Sequence, residues 1–193
     1  GEPLDNFDNA MRFLELVGDG KGLNLSLRNI SLSTCGVVPR IYDLMERHLQ
    51  LTLSVSLHAP NNEMRSKTMP INKKYPIEEL LKACREYTKR TSRRISFEYA
   101  MIKDVNDSDA CACELASLLK GMLCHVNLIP ANEIVESSHK RSTNERLESF
   151  IKILNSRGIN ATVRRSLGSD IDASCGQLRS RHNREISEKE GNK

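Results

Sequence analysis

A polar segment near the carboxyl end of the chain, residues 168–177, surrounds one cysteine with residues that favour turns. It reads Gly-Ser-Asp-Ile-Asp-Ala-Ser-Cys-Gly-Gln, with two glycines, two aspartates and two serines around Cys175. These residue types form poor helices and strands, and the segment has no apolar period. A free cysteine is most often small, buried and inert, but Cys175 has few apolar neighbours with which to join a core. We therefore predict a mobile loop over residues 168–178 that exposes a thiol.

Hydroxyl, imidazole and amide side chains form three further polar clusters, each directly after an apolar run. Ser33-Thr34 follows the first run, Ser56-Leu57-His58 the second, and Pro130-Ala131-Asn132 a later one. Side chains of these types can hydrogen-bond a small polar ligand. Ligands of parallel α/β sheets bind beyond the carboxyl ends of the strands, so we expect the clusters and the cysteine loop to share one edge.

The elements that must position these residues alternate between helix and strand. Alternating apolar residues predict strands at 24–34, 49–57, 95–102, 125–129 and 160–164. Apolar residues at helical spacing predict helices at 5–17 (with Asp5 as N-cap), 39–48, 76–89 and 110–119, and a last helix from the Ser142–Glu145 capping box to Gly158. This order predicts an α/β fold with parallel strands, right-handed crossovers and outer helices. Residues 179–193 are charged and aperiodic, so we expect a disordered tail.

The composition of the 193 residues is that of one globular domain. The chain is 38% hydrophobic and 28% charged, but only 4% aromatic with no Trp, which argues against an aromatic platform for stacking bases. A formal charge of +4 permits a polyanionic partner bound mainly by electrostatics. No apolar run approaches the roughly 18 residues of a membrane span, and no signal peptide opens the chain. We expect a cytoplasmic protein that does not enter a membrane.

Six dispersed cysteines argue for reduced thiols rather than for disulfides. Cys111 and Cys113 are spaced as a ligand pair, but on a helix residues two apart point to different sides. The sequence therefore offers no metal site.

Six short motifs, given below in chain order, resemble those of the dual-specificity radical S-adenosylmethionine RNA methyltransferases, which methylate C2 of an adenine in 23S ribosomal RNA and in some tRNAs. The resemblance spans the chain up to Leu178. The motifs are Gly1-Glu2-Pro3-Leu4, Ser31-Leu32-Ser33-Thr34-Cys35-Gly36, Ser56-Leu57-His58-Ala59-Pro60, Pro70-Ile71-Asn72-Lys73-Lys74-Tyr75, Asn127-Leu128-Ile129-Pro130-Ala131-Asn132 and Gly168 to Leu178.

The resemblance implies a partial (β/α) barrel of the radical S-adenosylmethionine type, residues 1–178, that lacks its first strand or strands. It implies that S-adenosylmethionine binds at the strand ends. Gly1 and Glu2 would hold the amino end of its methionine. Contacts to its carboxylate, ribose and adenine would come from Ser33, Ser56, Leu57, His58 and Asn132.

Cys175 matches the family's methyl-carrying cysteine. By resemblance it would take a methyl group from one S-adenosylmethionine and hold it as a thioether. A radical made from a second S-adenosylmethionine would then remove a hydrogen from that methyl group, and the resulting carbon radical would add to the adenine. A loop suits this role because one sulfur must meet both the cofactor and the RNA base.

The chain also departs from the family. The three cysteines that hold a 4Fe-4S cluster at spacing Cys-x-x-x-Cys-x-x-Cys lie before Gly-Glu-Pro in the family and are absent here, as are the second catalytic cysteine and the amino-terminal accessory domain. We expect a fragment that binds no cluster and is inactive alone. The full-length enzyme would act on 23S rRNA, and in some members on tRNA, with an electron donor such as a flavodoxin-type protein.

Two alternatives stay open at this point. One is an adenine-C8 methyltransferase of the same family, which shares most of these motifs. The other is a non-catalytic barrel that binds RNA or nucleotides. Three cysteines at cluster spacing upstream of Gly1 would favour an enzyme over the binding module.

Overall fold

A computed structural model describes residues 1–131 and 140–164. The predicted cysteine loop at 168–178 and the predicted tail at 179–193 lie outside the described residues. Within them, five parallel strands form a sheet in chain order. The strands are β1 Ser31–Thr34, β2 Thr52–Ser56, β3 Ile95–Met101, β4 Cys124–Pro130 and β5 Ala161–Val163.

A helix precedes β1, and at least one helix lies between each pair of successive strands. The helices are α1 Phe7–Gly18, α2 Val38–Glu46, α3 Asn62–Thr68, α4 Ile77–Thr91, α5 Asp109–Leu119 and α6 Asn144–Ser156, with 3₁₀ turns at Pro3–Asn6, Leu27–Asn29 and Pro70–Lys73. The predicted α/β order is therefore confirmed. Among the described residues, no helix is both long and apolar enough to cross a membrane.

The two faces of the sheet differ in chemistry because β3 and β4 alternate strictly. One face carries Ile95, Phe97, Tyr99 and Met101, all fully buried. Here the Tyr99 ring lies 5.3 Å from that of Phe150 in α6, so the helices pack on this side. The opposite face, which we call the inner face, carries Ser31, Ser33, Thr52, Ser54, Ser56, Ser96, Glu98, Ala100, His125, Asn127, Ile129 and Thr162.

The strand predicted at 24–34 is wrong over its first half. Leu25 is 48% exposed and its N–H bonds the Val17 carbonyl at the end of α1, so it joins neither the sheet nor the core. Leu27–Asn29 forms a 3₁₀ turn, and only Ser31–Thr34 pairs with β2. The leucines at 25 and 27 have the spacing of a strand, but Leu25 is exposed and Leu27 packs half-buried against the core from the 3₁₀ turn.

Helix α3 was not predicted, because its seven residues carry no apolar stripe. The Asn61 side chain caps it by accepting the Met64 N–H at 3.0 Å. The buried residue of this helix is a cation, Arg65. A search for apolar periodicity cannot find such a helix.

Two predicted helix caps are wrong by one residue. The N-cap of α6 is Thr143, whose hydroxyl accepts the Arg146 N–H at 3.3 Å, whereas the Ser142 hydroxyl is buried without a partner among the described residues. Asp5 lies in the Pro3–Asn6 turn, so the N-cap of α1 is Asn6. The predicted end of α6 is confirmed, since Gly158 takes φ +79° just beyond it.

Candidate functional site

Polar side chains on the inner face bond one another across the strands. The Glu98 carboxylate accepts from Asn127 Nδ2 at 2.8 Å and from Ser96 Oγ at 3.2 Å. His125 Nε2 lies 2.9 Å from Thr162 Oγ1. Parallel strands buried on both faces are nearly continuous apolar runs, so this alternation indicates a sheet with one face kept for polar contacts.

Glu2 joins the start of the chain to the end of β1. Its Oε2 accepts the Cys35 N–H at 2.6 Å and its Oε1 accepts the Leu4 N–H at 3.0 Å. An ionised carboxylate has about four acceptor positions, so Glu2 can still bind a ligand cation. Gly1, its neighbour, is exposed. The structure therefore places the predicted Gly1-Glu2 pair at the carboxyl edge of the sheet.

Cys35 follows β1, and it is not an activated thiol. Burial raises the pKa of Cys35 to about 12, and the hydrogen bond and negative charge of Glu2 act in the same direction. The thiol is thus protonated at neutral pH. The motif around Cys35 predicts no chemical role for this thiol, and its environment in the structure gives it none.

The turn after β1 requires glycine. Gly36 has φ +105°, and an added Cβ would lie 3.0 Å from Leu80 Cδ1 in α4. Its N–H bonds the Thr34 hydroxyl at 3.0 Å. The polar turn at the end of β1 is therefore built close against α4, where no larger residue fits.

Ser33 and Ser56 lie on the inner face at the ends of β1 and β2. Ser33 is exposed and Ser56 half-buried, and neither hydroxyl bonds another described residue. Leu57 differs, because its side chain is fully buried in the core. Its N–H bonds the Glu98 carbonyl, and its carbonyl accepts from Arg65. The two serines, unlike Leu57, thus present side chains to the candidate site.

His58 adopts a left-handed backbone conformation, with φ +59°, immediately after β2. Its N–H bonds the Glu98 carbonyl at 3.2 Å, and its Nδ1 accepts the Ala100 N–H at 3.0 Å. Burial, together with the positive charge of Arg65, lowers the pKa of His58 to about 4. The imidazole is therefore neutral at physiological pH.

Arg65 is a functional residue that the sequence analysis missed. Its guanidinium is fully buried and donates to four oxygens. They are Cys35 O at 2.7 Å, Ser56 O at 3.1 Å, Leu57 O at 3.2 Å and Asn72 Oδ1 at 3.1 Å. None of the ion pairs among the described residues includes Arg65. One side chain thus fastens together the carboxyl ends of β1 and β2.

Asn72 explains why the Pro70–Tyr75 motif accompanies the strand-end motifs. Its Oδ1 accepts from Arg65, and its Nδ2 donates to Ser66 Oγ at 2.8 Å and to Asn62 Oδ1 at 3.1 Å. The motif therefore orients the guanidinium. In the sequence Asn72 is one amide in a polar turn, and that alone predicts no particular hydrogen-bond partner.

Asn132 and Cys175 lie outside the described residues, so their predicted roles stay predictions. Ala131, just before Asn132, bonds the Met101 carbonyl at 3.0 Å at the carboxyl edge. Among the described residues, no three His, Cys, Asp or Glu side chains are grouped so as to hold a metal ion. The structure thus brings together Glu2, Ser33, Ser56 and His58 along one edge.

The chain matches one family model and parts of longer related proteins. Residues 1–114 match the family model of the radical SAM superfamily. A "Probable dual-specificity RNA methyltransferase RlmN" from Caldanaerobacter subterraneus subsp. tengcongensis is 54% identical over 185 residues, which cover 96% of this chain and 54% of that protein. A protein of the same name from Clostridium tetani is 55% identical over 182 residues, covering 94% and 52%. The chain thus spans about half the length of these relatives.

Solved structures agree with this match. The crystal structure of a radical SAM methyltransferase from Sphaerobacter thermophilus aligns with TM-score 0.89 and 50% identity, over 92% of this chain and 52% of that one. A domain of pyruvate-formate lyase-activating enzyme from Bacteroides vulgatus aligns with TM-score 0.63 and 17% identity, over 86% of this chain and 95% of that one. The second likeness shows the fold alone. The predicted radical S-adenosylmethionine fold class is confirmed.

Replacing Arg65 with Lys in the full-length protein should lower the free energy of unfolding by about 3 kcal/mol or more. A compact ammonium cannot reach the four oxygens that the planar guanidinium bonds, and some stay buried without a donor. Urea unfolding measures the change. The matched control is Arg12→Lys, because Arg12 is exposed and forms one ion pair among the described residues, with Glu15, so its cost should stay within about 0.5 kcal/mol. An Arg65→Lys protein as stable as this control would contradict the role of Arg65.

His58 should titrate in the folded protein with a pKa of about 4, against about 6.5 in the unfolded chain. Between these two values the unfolded state binds more protons at this site. The stabilisation from neutral His58 is therefore complete above pH 6.5 and is lost as the pH falls towards 4. NMR titration of the imidazole, with the protein in urea as the control, measures both pKa values. A folded-state midpoint near 6.5 would refute the burial that the structure assigns to this ring.

Proposed function

Because the chain belongs to the radical SAM superfamily, we propose that its full-length protein methylates C2 of an adenine in 23S rRNA, with tRNA as a second substrate. The observation that carries this proposal is identity above 50%, over nearly the whole chain, with proteins named dual-specificity RNA methyltransferases. The site supports it independently, because polar side chains line the carboxyl edge where ligands of such sheets bind.

The residues at this edge suit S-adenosylmethionine. The free acceptor positions of Glu2 match an ammonium group, as expected for the amino end of the methionine. The hydroxyls of Ser33 and Ser56, which bond none of the residues that the structure describes, can donate to or accept from a carboxylate or a ribose. Neutral His58 adds a hydrogen bond without adding charge. We assign Gly1 and Asn132 to the same site by their family positions. Leu57, which the resemblance also places there, has its side chain in the core and contributes through its carbonyl, which accepts from Arg65.

When bound, S-adenosylmethionine supplies an electrophilic methyl group and, on reductive cleavage at a 4Fe-4S cluster, a carbon radical. The described residues hold no group of ligands for such a cluster. We therefore place the cluster cysteines in another part of the full-length protein. An electron donor of the flavodoxin type would reduce the cluster.

Cys175 is the residue of this chain to which we assign the covalent chemistry. Its thiolate attacks the methyl carbon, so that a new sulfur–carbon bond forms while the bond to the sulfonium breaks. The carbon radical from a second S-adenosylmethionine would take one hydrogen atom from the thioether methyl group. The resulting methylene radical would add to C2 of the adenine at the expense of one π bond of the ring, so that the carbon bonds both the sulfur and the base. Because the carbon reaches the RNA from the sulfur, a variant without this thiol has no carrier.

Exposed cations at the carboxyl edge suit an RNA partner. Lys73 and Lys74 lie in and just after the 3₁₀ turn that follows α3, and Lys103 follows β3. The Lys103 N–H bonds the Lys140 carbonyl at 2.9 Å, and the backbone of Arg141 forms a β-bridge with Ile102. The basic residues Lys103, Lys140 and Arg141 therefore lie together. Contacts from such side chains to phosphates position a nucleic acid without reading its bases. They make binding weaker as the salt concentration rises.

Cys175→Ala in the full-length protein should abolish RNA methylation, while reductive cleavage of S-adenosylmethionine continues. Methylation is followed by mass spectrometry of RNA nucleosides, and cleavage by release of 5′-deoxyadenosine. Digestion of the wild-type protein should yield a methylated peptide that contains Cys175. The matched control is Cys113→Ala, since Cys113 lies half-buried in α5 and has no assigned role.

Wild-type methylation rates in the Cys175→Ala protein would overturn the proposal. The nucleoside analysis also tests the alternatives. Methylation at C8 would identify the related activity, and an absence of methylation by the wild-type protein with its cluster would favour a binding module.

A further inference from the structure

The loop after β3 folds back over the end of β2 through one buried side chain, Asn106. This residue is 3% exposed. Its Nδ2 donates to two backbone carbonyls, His58 O and Ala100 O, both at 2.8 Å. Its Oδ1 accepts the Ile102 N–H at 2.8 Å. The whole amide is therefore used to hold backbone, and none of its donors is left for a ligand.

Asn106 and His58 together satisfy the part of β3 that extends beyond β2. The Glu98 carbonyl still faces β2 and accepts from Leu57 and His58. Two residues further along, β2 has ended at Ser56, so the Ala100 N–H and C=O would lack partners there. His58 Nδ1 takes the N–H and Asn106 Nδ2 takes the C=O. One residue, Ala100, thus binds the histidine ring through its N–H and the asparagine amide through its C=O.

This arrangement determines which nitrogen of His58 carries the proton. Because Nδ1 accepts from a backbone N–H, the neutral ring must carry its hydrogen on Nε2. Nε2 makes no hydrogen bond to another described residue. A neutral imidazole held this way is a hydrogen-bond donor towards a ligand, and a ligand atom that meets it must be an acceptor.

We propose that Asn106 is a positioning residue that, by holding the backbone of His58 and Ala100, keeps the Ala100 N–H on Nδ1 and so directs Nε2–H of His58 towards an acceptor atom of S-adenosylmethionine. The ligand in this inference rests on the proposed function, whereas the tautomer rests on the contacts alone. Asn106 acts through His58 and does not touch the ligand. Its Nδ2 bonds the carbonyls of His58 and Ala100, the two residues joined by the hydrogen bond from the Ala100 N–H to His58 Nδ1. Holding both residues fixes the positions of the donor and the acceptor of that bond.

The first experiment measures the His58 tautomer in the wild-type full-length protein by ¹⁵N NMR. The expected spectrum shows a protonated Nε2 and an unprotonated Nδ1 at pH 7. A protonated Nδ1 would overturn the inference. This measurement needs no variant and no S-adenosylmethionine, so it can fail or succeed whatever becomes of the proposed function.

The second experiment is a double-mutant cycle on S-adenosylmethionine affinity, measured by calorimetry. Asn106→Asp keeps the acceptor for Ile102 but removes both donated bonds, so affinity should fall roughly tenfold. In a His58→Ala background the same change should have almost no effect, because the residue acts only through the ring. The control is Asn155→Asp, since the Asn155 Oδ1 accepts the Ala161 N–H at the start of β5, at the opposite edge of the sheet, and an aspartate keeps that acceptor.

An equal loss of affinity in both backgrounds would show a merely structural role and overturn the proposal, and so would unchanged affinity in Asn106→Asp. Methionine and 5′-methylthioadenosine serve as separate probes. The probe whose binding depends on Asn106 identifies the half of the ligand that meets Nε2–H. If the wild-type protein binds neither probe nor S-adenosylmethionine, the proposed function fails, while the tautomer measurement still decides whether His58 Nδ1 accepts the Ala100 N–H.

Discussion

The arrangement of the strand ends depends on one buried cation, Arg65. A charge removed from water is costly unless polar groups replace its hydration, and here three backbone carbonyls and one amide oxygen do so. Those carbonyls belong to Cys35, Ser56 and Leu57, the residues that close β1 and β2. The guanidinium therefore converts two separate strand ends into one edge. Its charge also helps to keep His58 neutral.

Stability and function use opposite faces of the same sheet. The helix-facing side buries large apolar residues of β3, such as Phe97 and Tyr99, whose removal from water drives folding. The inner face carries Ser, Glu, Asn and His, which contribute little apolar burial. A face of this kind leaves hydrogen-bonding groups for a polar ligand. The alternation within each strand is thus what separates the core from the candidate site.

The sequence predicted the parts of the fold that depend on apolar patterning. Strict alternation at 95–101 and polar residues at the strand ends were enough to locate β3 and the carboxyl edge. Arg65 and Asn106 were missed because both bond mainly to backbone oxygens. These contacts form only when the chain folds, so the spacing of residues in the sequence cannot predict them. The left-handed backbone of His58 could not be predicted for the same reason, because its contacts are with Glu98 and Ala100 of β3, which lie far from it in the sequence.

The central claim is that S-adenosylmethionine binds on the inner face at the edge that Arg65 assembles. The most direct measurement is a crystal structure of the full-length protein with S-adenosylmethionine and its cluster, prepared without oxygen. The account predicts the ligand's ammonium nitrogen within about 2.7–3.2 Å of the Glu2 carboxylate and a ligand acceptor within the same distance of His58 Nε2. A ligand bound at the amino edge of the strands, or against the helices, would contradict it.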